Sequence, residues 1–150
     1  NSPGQVVIAG HKAAVERAGV LCKEAGAKRV LPLPVSVPSH CALMKDAAEK
    51  LAEEFNNVTF NTPNIPVVNN VDVAIETSVE AIKIALIKQL YSPVRWTETI
   101  QFLAESGIEQ AIEAGPGKVL QGLLKRIDKS IVCQSVNDSA SLTKALASVE

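Results

Sequence analysis

The sequence predicts an α/β fold whose sheet is largely parallel. Stretches rich in β-branched residues alternate along the chain with stretches whose apolar residues recur at helical spacing. Glycine follows two of the predicted helices, at Gly26 and Gly107, where a residue free to take a positive φ commonly ends a helix. At 150 residues and 47% hydrophobic, the chain can bury one core and is short for two complete domains.

The first part of the chain predicts two strands around one helix. Residues 5–9 and 28–33 are predicted as strands from their apolar and β-branched content, and residues 11–25 have helical spacing. This arrangement fits either a βαβ unit or half of a small α+β subdomain.

Residues 31–38 predict a stiff connector into the next helix. Three of these residues are proline, and each proline fixes its own φ and drives the preceding residue toward extended conformations. Ser39 is then a predicted N-cap for a helix over residues 41–55. The connector is therefore expected to deliver His40 to the first turn of that helix.

Further strands and helices alternate through the rest of the chain. Strands are predicted at 58–60, 65–68, 108–113 and 131–136, and helices at 77–90, 92–107, 118–127 and 139–148. Thr77 with Glu80 forms a capping-box pattern, and Ser92 before Pro93 matches an N-cap followed by proline at the first helical position.

The Gly-Pro-Gly-Lys run at 115–118 lies between a predicted strand and a predicted helix, where backbone N–H groups can face an anion. The run lacks the spacing of a Walker A phosphate loop. The sequence favours the simpler interpretation, a tight turn that uses glycine for positive φ.

Composition excludes some classes of function. A net charge of −1 argues against nucleic acid as a partner, and no apolar run is long enough to cross a membrane. Three widely spaced cysteines suit a reducing cytoplasm better than a disulfide framework. No metal site is predicted. Because the chain opens on Asn1 without an initiator methionine, we expect a processed or truncated product.

His40 allows two interpretations from its position. It can be a structural histidine that hydrogen-bonds a neighbouring loop, or a general base that takes a proton from a nucleophile near neutral pH. Spacing alone does not decide between these roles. Cys41 is adjacent, but successive side chains on a helix point about 100° apart, so no Cys-His dyad is expected.

Five segments together resemble one enzyme family. Around His40 the chain has Val-Pro-Ser-His-Cys-Ala-Leu-Met, and it opens on Asn-Ser-Pro-Gly-Gln-Val-Val-Ile-Ala-Gly-His-Lys. The others are Pro-Val-Val-Asn-Asn-Val-Asp at 66–72, Gln-Leu-Tyr-Ser-Pro-Val-Arg-Trp at 89–96 and Gly-Pro-Gly-Lys-Val-Leu at 115–120. In this order they resemble the C-terminal half of the malonyl-CoA:acyl carrier protein transacylases of bacterial fatty acid synthesis.

The resemblance implies a division of the chain and a reaction. Residues 1–36 would be the latter half of a ferredoxin-like small subdomain, and residues 37–150 part of an α/β-hydrolase-like acyltransferase domain. The implied reaction transfers malonyl from malonyl-CoA to the pantetheine thiol of acyl carrier protein, in the cytoplasm. Malonyl-CoA and the carrier protein's phosphopantetheine are its substrates, and no cofactor is implied.

The same resemblance implies roles for individual residues. His40 is the general base and acid, and the backbone carbonyl of Gln89 orients its ring where a Ser-His-Asp triad has a carboxylate. Gln89 lies at the end of a predicted helix, where carbonyls lack intrahelical partners. Asn1 and Gln5 match polar positions along the pantetheine channel, where side-chain amides can bond the amides of the arm.

Three further positions match the family's substrate contacts. Lys28 and Arg29 match positions near the CoA phosphates and the acidic carrier protein, a task that suits two cations. A basic pair is otherwise usual on a solvated strand edge. The loop before Val119 matches one that borders the pantetheine channel, and Val119 itself a position near the thioester-bearing arm.

Residues that would complete this chemistry are absent from the sequence. No Gly-x-Ser-x-Gly elbow occurs, so the nucleophilic serine is missing. The family's oxyanion-hole glutamine and its malonyl-binding arginine are also missing. The chain alone is therefore expected to be inactive, with the missing N-terminal half of the enzyme as its partner.

Two other interpretations stay open on the sequence. The chain can be a non-catalytic fragment that binds CoA or carrier protein without turnover, or a plain α/β domain in which His40 is structural. Substantial binding by the isolated chain would support the first, and normal transfer after replacement of His40 would support the second.

Overall fold

The computed structural model describes residues 1–148, and in this range it contains six α-helices and one two-stranded sheet. The helices are α1 (Lys12–Glu24), α2 (Lys45–Glu54), α3 (Val79–Lys88), α4 (Trp96–Glu105), α5 (Val119–Ile127) and α6 (Ser139–Leu146). The strands β1 (Gln110–Ala114) and β2 (Val132–Val136) are parallel and in register from Gln110–Val132 to Ala114–Val136. The α/β class predicted from the sequence is confirmed.

The chain forms two compact units. One is Val7–Val94, which contains α1, α2 and α3. The other contains Asn1–Val6 and continues from Arg95 with α4, α5, α6 and the sheet. This division differs from the predicted boundary near residue 36. It groups segments that pack within this chain, whereas the predicted small subdomain depends on strands outside it, so the domain prediction stays a prediction.

A β-α-β arrangement forms the core of the unit that contains the sheet. A parallel pair needs a crossover connection, and here α5 supplies it between β1 and β2. Ile100 from α4, Leu124 from α5 and Ile131 before β2 are 1%, 4% and 3% exposed. Because α4 packs on α5, and α5 and α6 pack on β2, these side chains form one apolar cluster.

The other unit packs α2 against α3. Ala48 on α2 and Ala85 on α3 are buried, which lets the two helices approach closely. The rings of Phe55 and Phe60 meet edge to face with their centroids 4.9 Å apart. Lys83 on α3 donates to the Phe55 carbonyl at 3.1 Å and lies over the Phe60 ring, so the end of α2 is tied to α3.

Four predicted strands are wrong in the described part of the chain. Residues 5–9, 28–33, 58–60 and 65–68 join no ladder there, and only isolated bridges occur, at Ser2–Gln5 and Val68–Ile75. A strand needs a neighbour for its N–H and C=O groups, so β-branched content without a partner does not make one. Apolar side chains in these stretches are instead exposed, Ile8 at 50% and Ile65 at 76%.

The six predicted helices are found at the expected places in the chain, but most of their first residues differ from the prediction. Ser78, and not Thr77, caps α3 by accepting the backbone N–H of Ala81 at 3.2 Å. α4 begins at Trp96 and not directly after Ser92. Adjacent hydroxyl residues are equally able to cap a helix, and a proline alone does not start one, so such starts are only approximate from the sequence.

Candidate active site

His40 lies at the C-terminal end of α3, where two consecutive backbone carbonyls hold it. Its ring Nδ1 is 2.8 Å from the carbonyl oxygen of Gln89, and its backbone N–H donates to the carbonyl of Leu90 at 2.9 Å. A carbonyl oxygen can only accept a hydrogen bond, so the ring contact places a proton on Nδ1. Nε2 of the neutral ring then carries the lone pair and can accept a proton.

The backbone of His40 is in the left-handed region, with φ +63°. The predicted placement of His40 in the first turn of a helix capped by Ser39 is therefore wrong. The helical stretch begins later, with a 3₁₀ turn at Ala42–Met44 that continues as α2. Histidine is one of the few non-glycine residues enriched at positive φ. The backbone N–H of His40 is bonded to the Leu90 carbonyl, and His40 lies outside the helical stretch that follows it.

The proline-rich connector reaches His40 without forming a helix, as predicted. It is not fully extended, because the N–H of Val35 donates to the Leu33 carbonyl at 2.8 Å and that of Ser39 to the Val37 carbonyl at 2.9 Å. Each of these bonds closes a three-residue turn. The connector therefore approaches α3 through two tight turns.

The end of α3 can supply acceptors because a helix leaves its last carbonyls without intrahelical partners. α3 ends at Lys88, and Gln89 and Leu90 follow it in half-buried positions. This end also carries the negative end of the helix dipole, which favours positive charge on a nearby imidazole. The arrangement can thus fix one tautomer of His40 and stabilise its imidazolium, although a neutral carbonyl does so less than a carboxylate.

Cys41, which follows His40 in the chain, is hydrogen-bonded to the last residue of the proline-rich connector. Its Sγ donates to the carbonyl of Pro38 at 3.1 Å, which gives the thiol proton a partner other than the histidine ring. Across residues 1–148, no three His, Cys, Asp or Glu side chains are grouped to hold a metal ion. No helix in the same range is both long and apolar enough to cross a membrane.

The turn between β1 and α5 is closed by a side chain of the protein itself. Gly115 and Gly117 have φ +136° and +94°, so the interpretation as a glycine turn is confirmed. Glu113 accepts the backbone N–H groups of Gln121 at 2.8 Å and Leu120 at 3.0 Å. These two hydrogen bonds hold the pKa of the Glu113 carboxyl below its ordinary value, and the bond from Gln121 has the larger effect. The carboxylate occupies the place where an external anion would bind a helix N-terminus.

Five further predicted site residues are exposed, and the structure does not test their roles. They are Asn1, Gln5 and Val119 in the unit with the sheet, and Lys28 and Arg29 in the other unit. Gln5 Oε1 accepts a hydrogen bond from Arg126 Nη1 at 2.9 Å. The basic pair follows α1 in a segment without regular structure, and not on a strand edge.

Two contacts at the end of α3 have no signal in the spacing of the sequence. Leu90 acts through its backbone, which no side-chain pattern reveals. Lys88 Nζ lies 3.6 Å from Asp72 Oδ2, and Asp72 belongs to an Asn-Asn-Val-Asp run. Asparagine and aspartate are turn residues, so this run could have predicted a loop but not its ion-pair partner.

Curated proteins of one kind resemble the chain, although no protein-family model matches it. The chain is 62% identical over 146 residues to the malonyl CoA-acyl carrier protein transacylase of Salmonella typhimurium, and 65% identical over 141 residues to that of Haemophilus influenzae. The alignments cover 97% and 94% of this chain but 47% and 45% of the relatives. The chain thus spans about half the length of the curated relatives it matches.

Solved structures give the same result. An acyl carrier protein S-malonyltransferase from Vibrio cholerae matches with a TM-score of 0.86 at 64% identity, over 89% of this chain and 44% of that one. A type II PKS acyl-carrier protein in complex with its malonyl-transacylase matches with a TM-score of 0.89 at 61% identity, over 91% and 44%.

The fold and this likeness are together consistent with an α/β fragment of an acyltransferase. Over nearly its whole length, the chain is similar to about half of each malonyl CoA-acyl carrier protein transacylase that it matches. Its coverage of about half of these relatives is consistent with the predicted C-terminal fragment.

Proposed function

We propose that the protein containing this chain transfers the malonyl group of malonyl-CoA to the pantetheine thiol of acyl carrier protein, for fatty acid synthesis. The observation that supports this most strongly is 62% identity, over 97% of the chain, to a protein named for that transfer. The contact between His40 Nδ1 and the Gln89 carbonyl supports it independently, because it leaves Nε2 able to act as a base.

In the first half-reaction, a serine outside this chain attacks the malonyl thioester carbonyl while His40 Nε2 takes the serine proton. The tetrahedral intermediate collapses, the carbon–sulfur bond breaks, and His40 gives the proton to the departing CoA sulfur. In the second half-reaction, His40 takes the proton of the pantetheine thiol as its sulfur attacks the acyl-serine. The serine oxygen leaves and recovers the proton, which regenerates the enzyme.

Gln89 keeps the ring in one tautomer through both half-reactions. Its carbonyl holds the Nδ1 proton, so every transfer takes place at Nε2. When Nε2 is protonated, the carbonyl and the α3 dipole stabilise the imidazolium. Because the Gln89 carbonyl is the partner of Nδ1, His40 can act as a general base without a buried carboxylate beside its ring.

The remaining roles in the proposal concern substrate binding. Lys28 and Arg29 bind the CoA phosphates and the acidic carrier protein by charge. Asn1 and Gln5 bond the amides of the pantetheine arm, and Val119 borders that arm. The exposure of all five side chains supports this part of the proposal, because substrate can reach them.

The proposal extends to the whole enzyme. Residues 1–36 complete a ferredoxin-like subdomain and residues 37–150 an α/β-hydrolase-like domain, each with segments from the missing N-terminal half. The enzyme acts in the cytoplasm, and malonyl-CoA and acyl carrier protein are its partners. The 150-residue chain alone, which has no Gly-x-Ser-x-Gly elbow, is inactive.

Replacing His40 in the intact transacylase tests this function. We expect His40→Gln to slow malonyl transfer by about 10²- to 10⁴-fold, the usual contribution of a general base. His11→Gln is a matched control, because His11 lies at the start of α1 and its side chain makes no capping hydrogen bond. Normal transfer by His40→Gln would contradict the proposed role.

A further inference from the structure

Two non-glycine residues of the described chain have positive φ, and both are connected to the C-terminal end of α3. His40, at +63°, contacts the carbonyls there, and Val73, at +56°, lies in the loop of residues 69–76, here called the Asn69 loop. For a β-branched residue this conformation is a costly outlier. Such strain persists only where surrounding contacts enforce it, and it concentrates at functional sites.

The side chain of Asn69 enforces the shape of the loop. Its Oδ1 accepts the backbone N–H groups of Asp72 at 2.8 Å and Val71 at 3.1 Å. Its Nδ2 donates to the Ala74 carbonyl at 3.0 Å and to Glu76 Oε1 at 3.3 Å. Its backbone N–H also donates to the Ala74 carbonyl, at 2.9 Å. One residue thus bonds both sides of the loop and fixes the backbone of Asp72.

Asp72 forms an ion pair with the residue at which α3 ends. Lys88, the last residue of α3, supplies the cation, with Nζ 3.6 Å from Asp72 Oδ2 and both side chains less than half exposed. The ion pair therefore ties the Asn69 loop to the residue directly before Gln89.

We propose that the Asn69 loop positions the catalytic histidine. Through the Asp72–Lys88 ion pair the loop fixes the last turn of α3, and with it the Gln89 carbonyl that sets the tautomer and orientation of His40. Asp72 and Lys88 are positioning residues that act on His40 only through Gln89. The kinetic consequence rests on the proposed function, whereas the consequence for the tautomer does not.

Variants of the intact transacylase test this inference by kinetics. Asp72→Asn and Lys88→Met each break the pair with little change in volume, and Lys88→Arg keeps it. The control is Glu16→Gln, which breaks the exposed Lys12–Glu16 pair in α1 of the same unit. We expect about a fivefold loss of kcat with KM changed by less than about twofold in the first two variants, because misplaced catalytic groups lower kcat. Lys88→Arg and Glu16→Gln should behave like wild type.

Nitrogen-15 NMR of the histidine rings, recorded where they are neutral, gives a readout independent of activity. In wild type the His40 signals should show a proton on Nδ1. In Asp72→Asn and Lys88→Met they should both move toward a mixture of tautomers, with His11 unchanged. A simple charge effect would act in opposite directions, because one variant loses an anion and the other a cation.

Unchanged kcat and unchanged His40 signals in both variants would overturn the inference. So would a fall in melting temperature without either change, because it would show that the ion pair is only structural. If His40→Gln keeps normal transfer, the proposed function fails instead, and the tautomer of His40 still decides whether the loop positions its ring.

Discussion

The two units each satisfy a helix end with a polar side chain, but with different chemical results. At the start of α5, Glu113 accepts two backbone N–H groups, and Ser135 Oγ lies 3.3 Å from the same carboxylate. At the end of α3, His40 uses Nδ1 on the Gln89 carbonyl, which leaves Nε2 for a second task. A helix end is therefore a candidate site when the group that satisfies it keeps another reactive atom.

The largest effect concerns the chain by itself, which has the candidate base but no Gly-x-Ser-x-Gly nucleophile. We expect the isolated 150-residue polypeptide to show no malonyl transfer above the uncatalysed rate. Apolar side chains such as Val6, Leu31 and Ile65 are 80%, 69% and 76% exposed, so the polypeptide should also self-associate and bind a hydrophobic dye. Enzyme assays and sedimentation check these two expectations.

A monodisperse monomer that melts cooperatively and binds no dye would contradict the second expectation. Substantial binding of CoA or carrier protein by such a monomer, measured by calorimetry, would favour the non-catalytic binding fragment. In that case the end of α3 would serve binding, and the difference between it and the start of α5 would not reflect catalysis.

The next prediction concerns the stability of the glycine turn before α5. Gly115 has φ +136° and no atom within 4 Å of an added Cβ, so Gly115→Ala should destabilise the intact protein by conformation alone, by about 1–3 kcal/mol. Gly122, inside α5, is equally open but has no positive φ. Gly122→Ala should therefore stabilise the protein by about 0.5–1 kcal/mol. If denaturant unfolding shows that the two substitutions change the free energy of unfolding in the same direction, the turn does not require glycine at position 115.

A smaller, pH-dependent effect is expected at Glu113. Its pKa is lowered in the folded protein by the N–H groups of Gln121 and Leu120, so its contribution to stability is present above the ordinary carboxyl value of 4.5. The contribution is lost as pH falls through the lower folded pKa. Wild type should melt above Glu113→Gln near neutral pH, and the difference should shrink in acid. Thermal melts that show a constant or growing difference would rule out this charge-dependent cap.

Local features of the fold could be predicted from the sequence, whereas pairing could not. The 3.6-residue period over 11–25 and 118–127 predicts α1 and α5, because one apolar face is a property of the segment itself. Residues 5–9 and 65–68 have strand composition but no neighbouring strand in the described chain. Strand formation depends on a distant partner, so composition alone was misleading there.

The candidate site shows the same limit. His40 and Gln89 are 49 residues apart, and only the family resemblance connected them in the sequence. Their roles stay predictions, although the contact between them is part of the structure. The Leu90 carbonyl and the Asp72–Lys88 pair carry no local pattern, since one is backbone and the other joins a loop to a helix.

The most direct test of the central claim is single-turnover acylation of the intact enzyme by malonyl-CoA, measured in parallel for His40→Gln and Glu113→Gln. We expect His40→Gln to slow formation of the malonyl-enzyme by about 10²- to 10⁴-fold, because Nε2 no longer takes the serine proton. Glu113→Gln, which alters the cap of α5 and no group proposed to move a proton, should acylate at close to the wild-type rate when malonyl-CoA is saturating. Normal acylation by His40→Gln, or an equal loss in both variants, would contradict the distinction between the two helix ends.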